Sequence, residues 1–499
     1  MAGADATTPM SGRSIRGFAW MTAQTILDRL LSLGGQIVLA WVLLPDDFGI
    51  ASLALSIGVM AGIIQQNGAA RLLVANPARF VELANPCFWF SIATGILTAI
   101  VMMVGGVVAA WGYDKPDLPA LVGWLAAAAP LAGATTVPIA ALQVELRFRA
   151  LSTINAAATL VRVTMTILMA LSGFGALSFV IPLAVTAGLQ VLVLLAVVRP
   201  PLRWSPSFDG WKHILPTSGV VMAAAMLNRV VERGDYLILA TTATMDVVGV
   251  YFFAFTLSMQ GIALVGGNVF SVLFPTFSKL QDQPERRAAA MLRAIRLVAL
   301  VSIPLQVLLA ISSDSLIRVV FDDRWSAAVP VMQILCIGLS LRILGSVSTA
   351  DLNALGRFRM LLWLAAINCA VFFPAALMAA PCGLETFAAA VCAPYVVVPV
   401  LSTWIALGSA PGKLARMWST LRPALFASIA AVVPTVAVRW LLPDTFAGDV
   451  LRLLSGAIIF GTVMVLVAAW ADTRLRAALL DARRLFTHRR AEPPAADGL

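Results

Sequence analysis

Apolar stretches of about 18 to 25 residues, the length that crosses a bilayer as an α-helix, recur along almost the whole chain, from residue 17 to residue 471. Inside lipid each backbone polar group must find a partner within its own segment, which a helix provides. Only 12% of the 499 residues are charged and 60% are hydrophobic, whereas a soluble domain carries about 25% charged residues. The sequence therefore predicts an all-α polytopic membrane protein and leaves no room for a soluble domain.

The apolar stretches divide into fourteen predicted transmembrane spans, two sets of six followed by two more. We place them near residues 17–44, 48–65, 86–110, 121–142, 154–174, 177–198, 214–241, 247–274, 294–313, 327–350, 361–379, 384–407, 421–441 and 451–471. These spans divide the chain into four regions: an N-terminal lobe over 1–198, a C-terminal lobe over 199–407, two added helices within 408–472 and a basic tail over 473–499.

The basic residues support this count of spans. When residues at the very ends of spans are assigned to the adjoining connections, 25 of the 35 Lys and Arg residues lie on one side of the membrane, five on the other side and five deeper within spans. Basic residues mark the cytoplasmic side, so we expect both termini and the basic tail to be cytoplasmic. The net charge of +10 then reflects topology, and we expect no nucleic-acid partner.

Cysteine and histidine give no sign of a metal or disulfide site. The five cysteines lie scattered through apolar segments without a CxxC pair, and both histidines lie outside the apolar stretches. We therefore expect no metal site and no bound cofactor.

An internal repeat becomes visible when the first and seventh spans are aligned at an offset of 200 residues. The matched segments are Leu27-Asp28-Arg29 with Leu227-Asn228-Arg229, Gly34 with Gly234, Leu39-Ala40 with Leu239-Ala240, and Asp46-x-x-Gly49 with Asp246-x-x-Gly249. At an offset of 210, Arg147-Phe148-Arg149 matches Arg357-Phe358-Arg359. Six spans separate the copies, so the repeats run parallel, as in transporters built from two halves. We expect two six-helix lobes around a central cavity, with two helices added at the C-terminus.

Ionisable residues interrupt three of the spans. A charge at mid-bilayer costs about 2.5 kcal/mol or more, and it is tolerated where it faces protein or water. These residues are Asp28 and Arg29 in the first span, Arg162 in the fifth, and Arg229, Glu232, Arg233 and Asp235 in the seventh. The three helices are therefore expected to line something polar.

Two interpretations of these charges stay open. Arg229 and Glu232 are three residues apart on one helix face and could form a structural ion pair. Alternatively, Arg29, Arg229 and Arg233 converge in the cavity and bind an anionic headgroup, because arginine offers a fork of donors that suits phosphate. Arg162, alone on its helix, either joins them as a substrate-binding residue or bonds to a neighbouring helix. In that case Asp28, Glu232 and Asp235 are counter-charges or take up a coupling cation. We expect Arg342 and Asp351 to be interfacial or structural.

Short motifs spread over nearly the whole chain resemble the Wzx-like polysaccharide flippases of the multidrug/oligosaccharidyl-lipid/polysaccharide exporter superfamily. They are Gly17-Phe18-Ala19-Trp20, Leu44-Pro45-Asp46-Asp47-Phe48-Gly49, Arg233-Gly234-Asp235-Tyr236-Leu237-Ile238, Val248-Gly249-Val250-Tyr251, Phe274-Pro275-Thr276-Phe277-Ser278-Lys279-Leu280-Gln281, Phe321-Asp322-Asp323-Arg324-Trp325 and Leu352-Asn353-Ala354-Leu355-Gly356-Arg357. The chain departs from the family at Asp322, where the family often has glycine.

The resemblance implies a transporter of the bacterial inner membrane and not an enzyme. Its substrate would be an undecaprenyl-diphosphate-linked oligosaccharide, moved by alternating access to the periplasmic leaflet for exopolysaccharide, capsule or O-antigen synthesis. Its partners would be that lipid-linked substrate, the membrane lipids, and the polysaccharide polymerase and export machinery. The family also raises coupling to an H⁺ or Na⁺ gradient, which this sequence does not decide.

Three alternatives have different sequence requirements. A membrane glycosyltransferase or polymerase would need a large outer loop with catalytic groups, and the predicted outer connections are short. A multidrug antiporter of the superfamily would be expected to have twelve spans and an acidic cavity. A peptidoglycan lipid-precursor flippase shares the fourteen spans and the arginines, and it stays open as the alternative.

Overall fold

The computed structural model describes residues 10–65, 68–200, 219–266, 269–408 and 411–471, and this part of the chain is helical without a strand. Its helices are α1 (Met10–Val42), α2 (Pro45–Ala61), α3 (Ala69–Ala75), α4 (Phe80–Tyr113), α5 (Leu118–Val144), α6 (Phe148–Leu171), α7 (Leu177–Val198), α8 (Gly219–Leu239), α9 (Met245–Gly266), α10 (Val269–Lys279), α11 (Pro284–Val320), α12 (Ala328–Leu339), α13 (Arg342–Ala354), α14 (Phe358–Ala379), α15 (Leu384–Ala406), α16 (Lys413–Leu441) and α17 (Phe446–Ala471). The predicted tail, 473–499, lies outside the described residues.

Twelve segments of the described chain are long and apolar enough to cross a membrane. The helices α1, with 33 residues, and α8, with 21, are also long enough to span. These two helices carry most of the ionisable residues that the sequence places within spans. The prediction of an all-α polytopic membrane protein is confirmed, and the chain is a multi-pass membrane protein.

The chain forms two compact units. The first comprises Met1–Phe253 with Ala365–Phe387, and the second comprises Ala254–Leu364 with Ala388–Leu499. In the first unit α5 packs against α4, α7 and α2, and α6 packs against α1 and α7. In the second unit the long helix α11 packs against α12, α16 and α17. The four regions predicted from the sequence stay predictions.

Small apolar side chains let the helices of the first unit approach closely. The core between α3, α4, α5 and α7 contains Leu73, Cys87, Val137 and Ala140, all fully buried. A Cβ at Gly95 would lie 2.7 Å from the Cα of Pro130 on α5, so only glycine fits there. Close backbone approach at small residues is the usual basis of helix association in lipid.

The predicted span 327–350 contains a tightened turn between α12 and α13. The Ser340 amide donates to the carbonyl of Ile337 and the Leu344 amide to that of Leu341, which are three-residue steps in place of four. On either side of this turn Gly338 packs against the Cys392 side chain and Gly345 against Pro399, both on α15. The segment remains one span, but it is not one continuous helix.

Candidate functional site

Helices α1 and α6 lie side by side and run parallel. The Arg149 guanidinium lies 5.2 Å from the centre of the Trp20 ring, and a Cβ at Gly35 would lie 2.9 Å from Cγ1 of Val163. The two residues are 129 positions apart in the first pair and 128 in the second, so residues about 128 positions apart lie at the same level of the two helices. Arg162 is therefore level with Gly34. Arg29 is five residues before Gly34, so at about 1.5 Å per residue it lies about 7 Å from the level of Arg162, toward the N-terminal ends of both helices.

Asp28 has one satisfied and one unsatisfied carboxylate oxygen. The Gln24 side-chain amide donates to Oδ2 of Asp28 over 3.1 Å. Oδ1 of Asp28 is buried, and no hydrogen-bond partner for it is present among the described residues. A buried carboxylate oxygen without a donor is costly, so this atom is suited to a cation, a proton or a donor from a ligand.

Helix α6 carries a polar stripe that was not predicted from the sequence. Asn155, Thr159 and Arg162 are spaced by four and three residues and share one face. Oδ1 of Asn155 accepts a hydrogen bond from the side-chain amide of Gln190 on α7 at 2.9 Å. The signal was available as three polar residues at helical spacing in an otherwise apolar span.

The ion pair that the spacing predicts on α8 is formed. Nη1 of Arg229 lies 2.9 Å from Oε2 of Glu232, with 43% of the arginine and 31% of the glutamate side chain exposed. The pair is partly open to its surroundings, so its formation alone does not separate the structural interpretation from headgroup binding.

The two remaining predicted residues of α8 have different surroundings. The Arg233 guanidinium lies 5.8 Å from the centre of the Tyr236 ring, a distance at which a cation is attracted by the ring face. Asp235 is fully buried. Its carboxylate accepts hydrogen bonds from the Tyr251 hydroxyl at 2.9 Å and from the Tyr236 amide at 3.0 Å. Asp235 therefore belongs to a buried cluster between α8 and α9.

Helix α8 pairs with α14 as α1 pairs with α6, each time the first and fifth spans of a set. The Asn368 side-chain amide donates to Oδ1 of Asn228 at 3.1 Å, and the Phe372 ring lies 3.4 Å from where a Cβ at Gly234 would be. Oδ1 of Asn368 is buried without a hydrogen-bond partner among the described residues. Asn228 and Asn368 are thus further polar groups beside Arg229 that sequence reasoning missed.

Ionic groups of the second unit form contacts with one another or with aromatic rings. The largely buried Arg287 lies 3.2 Å from the fully buried Asp351, and the Arg342 guanidinium lies 4.9 Å from the Tyr395 ring centre. Near the ends of α11, α16 and α17, ion pairs join Arg439 to Asp314 at 2.6 Å, Arg318 to Asp449 at 3.4 Å, and Arg452 to Asp449 at 3.0 Å and to Asp444 at 2.8 Å. The Arg452 hydrogen bond holds the pKa of the Asp444 carboxyl below its usual value.

The structure thus brings some predicted site residues together and leaves others unconnected. It places Asp28, Arg29 and Arg162 on one helix pair and Arg229, Glu232, Arg233 and Asp235 on another. The described contacts contain no link between the arginines of the two pairs. Convergence of these arginines in one cavity stays a prediction.

Comparison with known proteins supplies the remaining findings. Residues 38–330 match the profile of a family described as polysaccharide biosynthesis protein. The chain is 25% identical over 354 residues to the lipopolysaccharide biosynthesis protein WzxC of Escherichia coli strain K12, covering 67% of this chain and 68% of that protein. It is 24% identical over 465 residues to the succinoglycan biosynthesis transport protein ExoT of Rhizobium meliloti strain 1021, covering 92% and 93%.

Solved structures with a similar fold are membrane transporters. The lipid II flippase MurJ in an inward closed conformation aligns with a TM-score of 0.67 at 12% identity, covering 89% of this chain and 98% of that one. A multidrug resistance MATE family transporter in the inward-facing conformation aligns with a TM-score of 0.60 at 15% identity, covering 79% and 96%. At these identities the likeness concerns the fold.

Proposed function

The chain belongs to the polysaccharide biosynthesis protein family, and from this premise we propose that it is a flippase for undecaprenyl-diphosphate-linked oligosaccharides. It would move these units from the cytoplasmic to the periplasmic leaflet of the bacterial inner membrane, for exopolysaccharide, capsule or O-antigen synthesis. Both termini would be cytoplasmic. The polysaccharide polymerase and export machinery would take over the product.

The observation that carries the proposal is the match to this family over more than half of the chain. Relatives named for lipopolysaccharide and succinoglycan biosynthesis support the polysaccharide substrate. The transporter fold favours a protein that moves its substrate and does not convert it chemically. A flippase needs no catalytic group, because the substrate leaves unchanged.

The arginines within the spans would bind the diphosphate. A diphosphate accepts several charge-assisted hydrogen bonds, and arginine donates them with fixed geometry. Arg29 and Arg162 lie on one helix pair, about 7 Å apart along the axes, so the headgroup could pass from one to the other as it crosses. Arg229 and Arg233, one helical turn apart, would offer the same chemistry on α8.

Coupling to a proton or Na⁺ gradient would use carboxylates of the same helices. Asp28 is the best placed of the three predicted residues, because its buried Oδ1 has no hydrogen-bond partner among the described residues. Glu232 pairs with Arg229, and Asp235 is held by Tyr251. Both could act as counter-charges that keep the arginines positioned.

The test is a translocation assay with the purified chain in liposomes. One set of liposomes contains a fluorescent undecaprenyl-diphosphate oligosaccharide, and a second contains a peptidoglycan lipid precursor. A membrane-impermeant quencher reports how fast the headgroup changes leaflet. We expect the protein to accelerate transfer of the oligosaccharide lipid over that in protein-free liposomes, and an imposed H⁺ or Na⁺ gradient to change the rate if transport is coupled. Acceleration of the peptidoglycan precursor alone would identify the alternative flippase, and acceleration of neither would refute the proposal.

A further inference from the structure

Two glycines of the internal repeat lie backbone to backbone. Gly49 is near the start of α2 and Gly249 near the start of α9, and both are buried. A Cβ at Gly49 would overlap the carbonyl oxygen of Met245, and a Cβ at Gly249 would overlap that of Pro45. Each would also lie close to the other glycine's amide nitrogen, at 3.2 and 3.0 Å. No side chain fits at either position without a backbone shift.

The contact is reciprocal between equivalent residues. Gly49 and Gly249 match at the offset of 200 residues, and so do Pro45 and Met245. Each glycine lies against the carbonyl oxygen of the residue four positions before the other glycine. Such a self-complementary arrangement, in which each partner presents the same patch, is what a two-fold axis produces. The contact therefore lies where the two copies of the repeat meet.

The surroundings combine aromatic packing with charge repulsion. The Phe48 ring packs against those of Phe252 and Phe253, with centres 6.3 and 6.2 Å apart. The carboxylates of Asp46 and Asp246, again equivalent positions, repel each other, and Lys115 offsets this repulsion. The contact is therefore bordered by aromatic rings and by two carboxylates whose repulsion Lys115 offsets.

We propose that the contact between Gly49 and Gly249 is the outer closure of the transport pathway and opens once in each transport cycle. The proposal rests on the proposed transport by alternating access and on the topology in which α1 and α8 run outward, so that α2 and α9 begin at the outer face. A substrate that leaves between the two repeats must separate residues on the axis that relates them. The glycines let the backbones meet there, and any side chain would hold that end open.

The first experiment measures the distance across this contact. Spin labels are attached at Asp46→Cys and Asp246→Cys in the full chain, with Cys369 and Cys382 replaced by serine, and distances are recorded by pulsed electron resonance in liposomes. The parent is expected to show a short-distance population that Gly49→Ala and Gly249→Ala lose. Gly112→Ala is the matched control, since a Cβ there meets nothing within 4 Å, and it should keep that population. Retention of the short distance by both alanine variants would overturn the proposal.

A second experiment leaves the glycines unchanged. In cells, a short bifunctional thiol reagent with a reducible link joins the cysteines at 46 and 246, and polysaccharide export is followed before and after reduction. Cross-linking is expected to stop export and reduction to restore it, while a chain that carries only one of the two introduced cysteines exports throughout. Continued export by fully cross-linked protein would overturn the outer closure.

Failure of the proposed function would be recognised separately. If deletion of the gene left polysaccharide export unchanged, the proposed substrate would be wrong. The distance measurement needs no substrate, so it would still decide whether the contact opens and whether it depends on the glycines.

Discussion

Replacing Arg229 and Glu232 singly and together separates a structural ion pair from a binding site. The two side chains are 43% and 31% exposed and 2.9 Å apart. Removal of one partner leaves the other charge unpaired within a span, which costs about 2.5 kcal/mol at mid-bilayer and less where water reaches it. If it serves stability alone, either single replacement lowers the melting temperature by at most a few degrees.

Binding of a diphosphate by Arg229 predicts a larger effect on transport than on stability. A hydrogen bond to a charged group contributes about 1.5 to 3 kcal/mol, which corresponds to about a ten- to hundredfold loss of affinity. We therefore expect Arg229→Leu to lower the transport rate at limiting substrate about tenfold or more, with little change in melting temperature. The measurements are export in cells at matched protein level and thermal unfolding of the purified chain.

The double variant Arg229→Leu with Glu232→Leu decides between the interpretations. A purely structural pair can be replaced by two apolar side chains at little cost, whereas loss of one partner leaves a charge uncompensated. Recovery of export to the parental level in the double variant, after loss in both single variants, would refute the binding role. We expect the double variant to remain as impaired as Arg229→Leu.

Three further outcomes are expected. Arg233→Lys should reduce export although the charge is kept, because lysine lacks the fork of donors, and Arg233→Ala should abolish most of it while membrane insertion, measured by fractionation, is unchanged. A reporter fused within residues 280–283 should be cytoplasmic; a periplasmic signal would contradict the topology derived from the basic residues. Arg162→Phe should lower export and leave the melting temperature within a few degrees; full export would exclude Arg162 from the transport path.

Features that depend on one helix alone, its length and the spacing of residues on its face, were predictable from the sequence. Apolar length gave the spans, and residue spacing gave the pair of Arg229 with Glu232, which forms at 2.9 Å. The predicted spans leave residues 275–293 as a connection, yet α11 begins at Pro284. With 37 residues this helix extends beyond the about 30 Å of hydrocarbon that it crosses, so charged residues at its start remain helical outside the bilayer.

Contacts between helices could not be predicted from the same patterns. The Tyr251 hydroxyl reaches Asp235 from the next helix, and Asn368 reaches Asn228 from a helix 140 residues later. Helical spacing shows which residues share a face, but it does not show which neighbouring helix covers that face. The repeat is the sequence signal that carries such information, because Gly49 and Gly249, which match across it, lie in contact.

The two copies of the repeat differ in chemistry at one equivalent position. At the offset of 210 residues Arg162 corresponds to Phe372. Phe372 packs against Gly234, and Arg162 is level with Gly34, which matches Gly234 at the offset of 200. Where the second copy places an aromatic ring over its glycine, the first has an arginine, and a Cβ at Gly34 would meet nothing within 4 Å.

This difference would let two equivalent repeats bind an asymmetric molecule. Equivalent backbones let the two repeats meet through Gly49 and Gly249. A lipid diphosphate, however, has a charged group at one end of an oligosaccharide and an apolar chain on its other side, so identical linings would not suit it. Open space at Gly34 and an arginine at the same level of α6 would accommodate a polar group, whereas the Phe372 ring occupies the equivalent place in the other copy. We therefore expect the headgroup to bind on the α1 and α6 pair through Arg29 and Arg162 together, and on α8 through Arg229 and Arg233 alone.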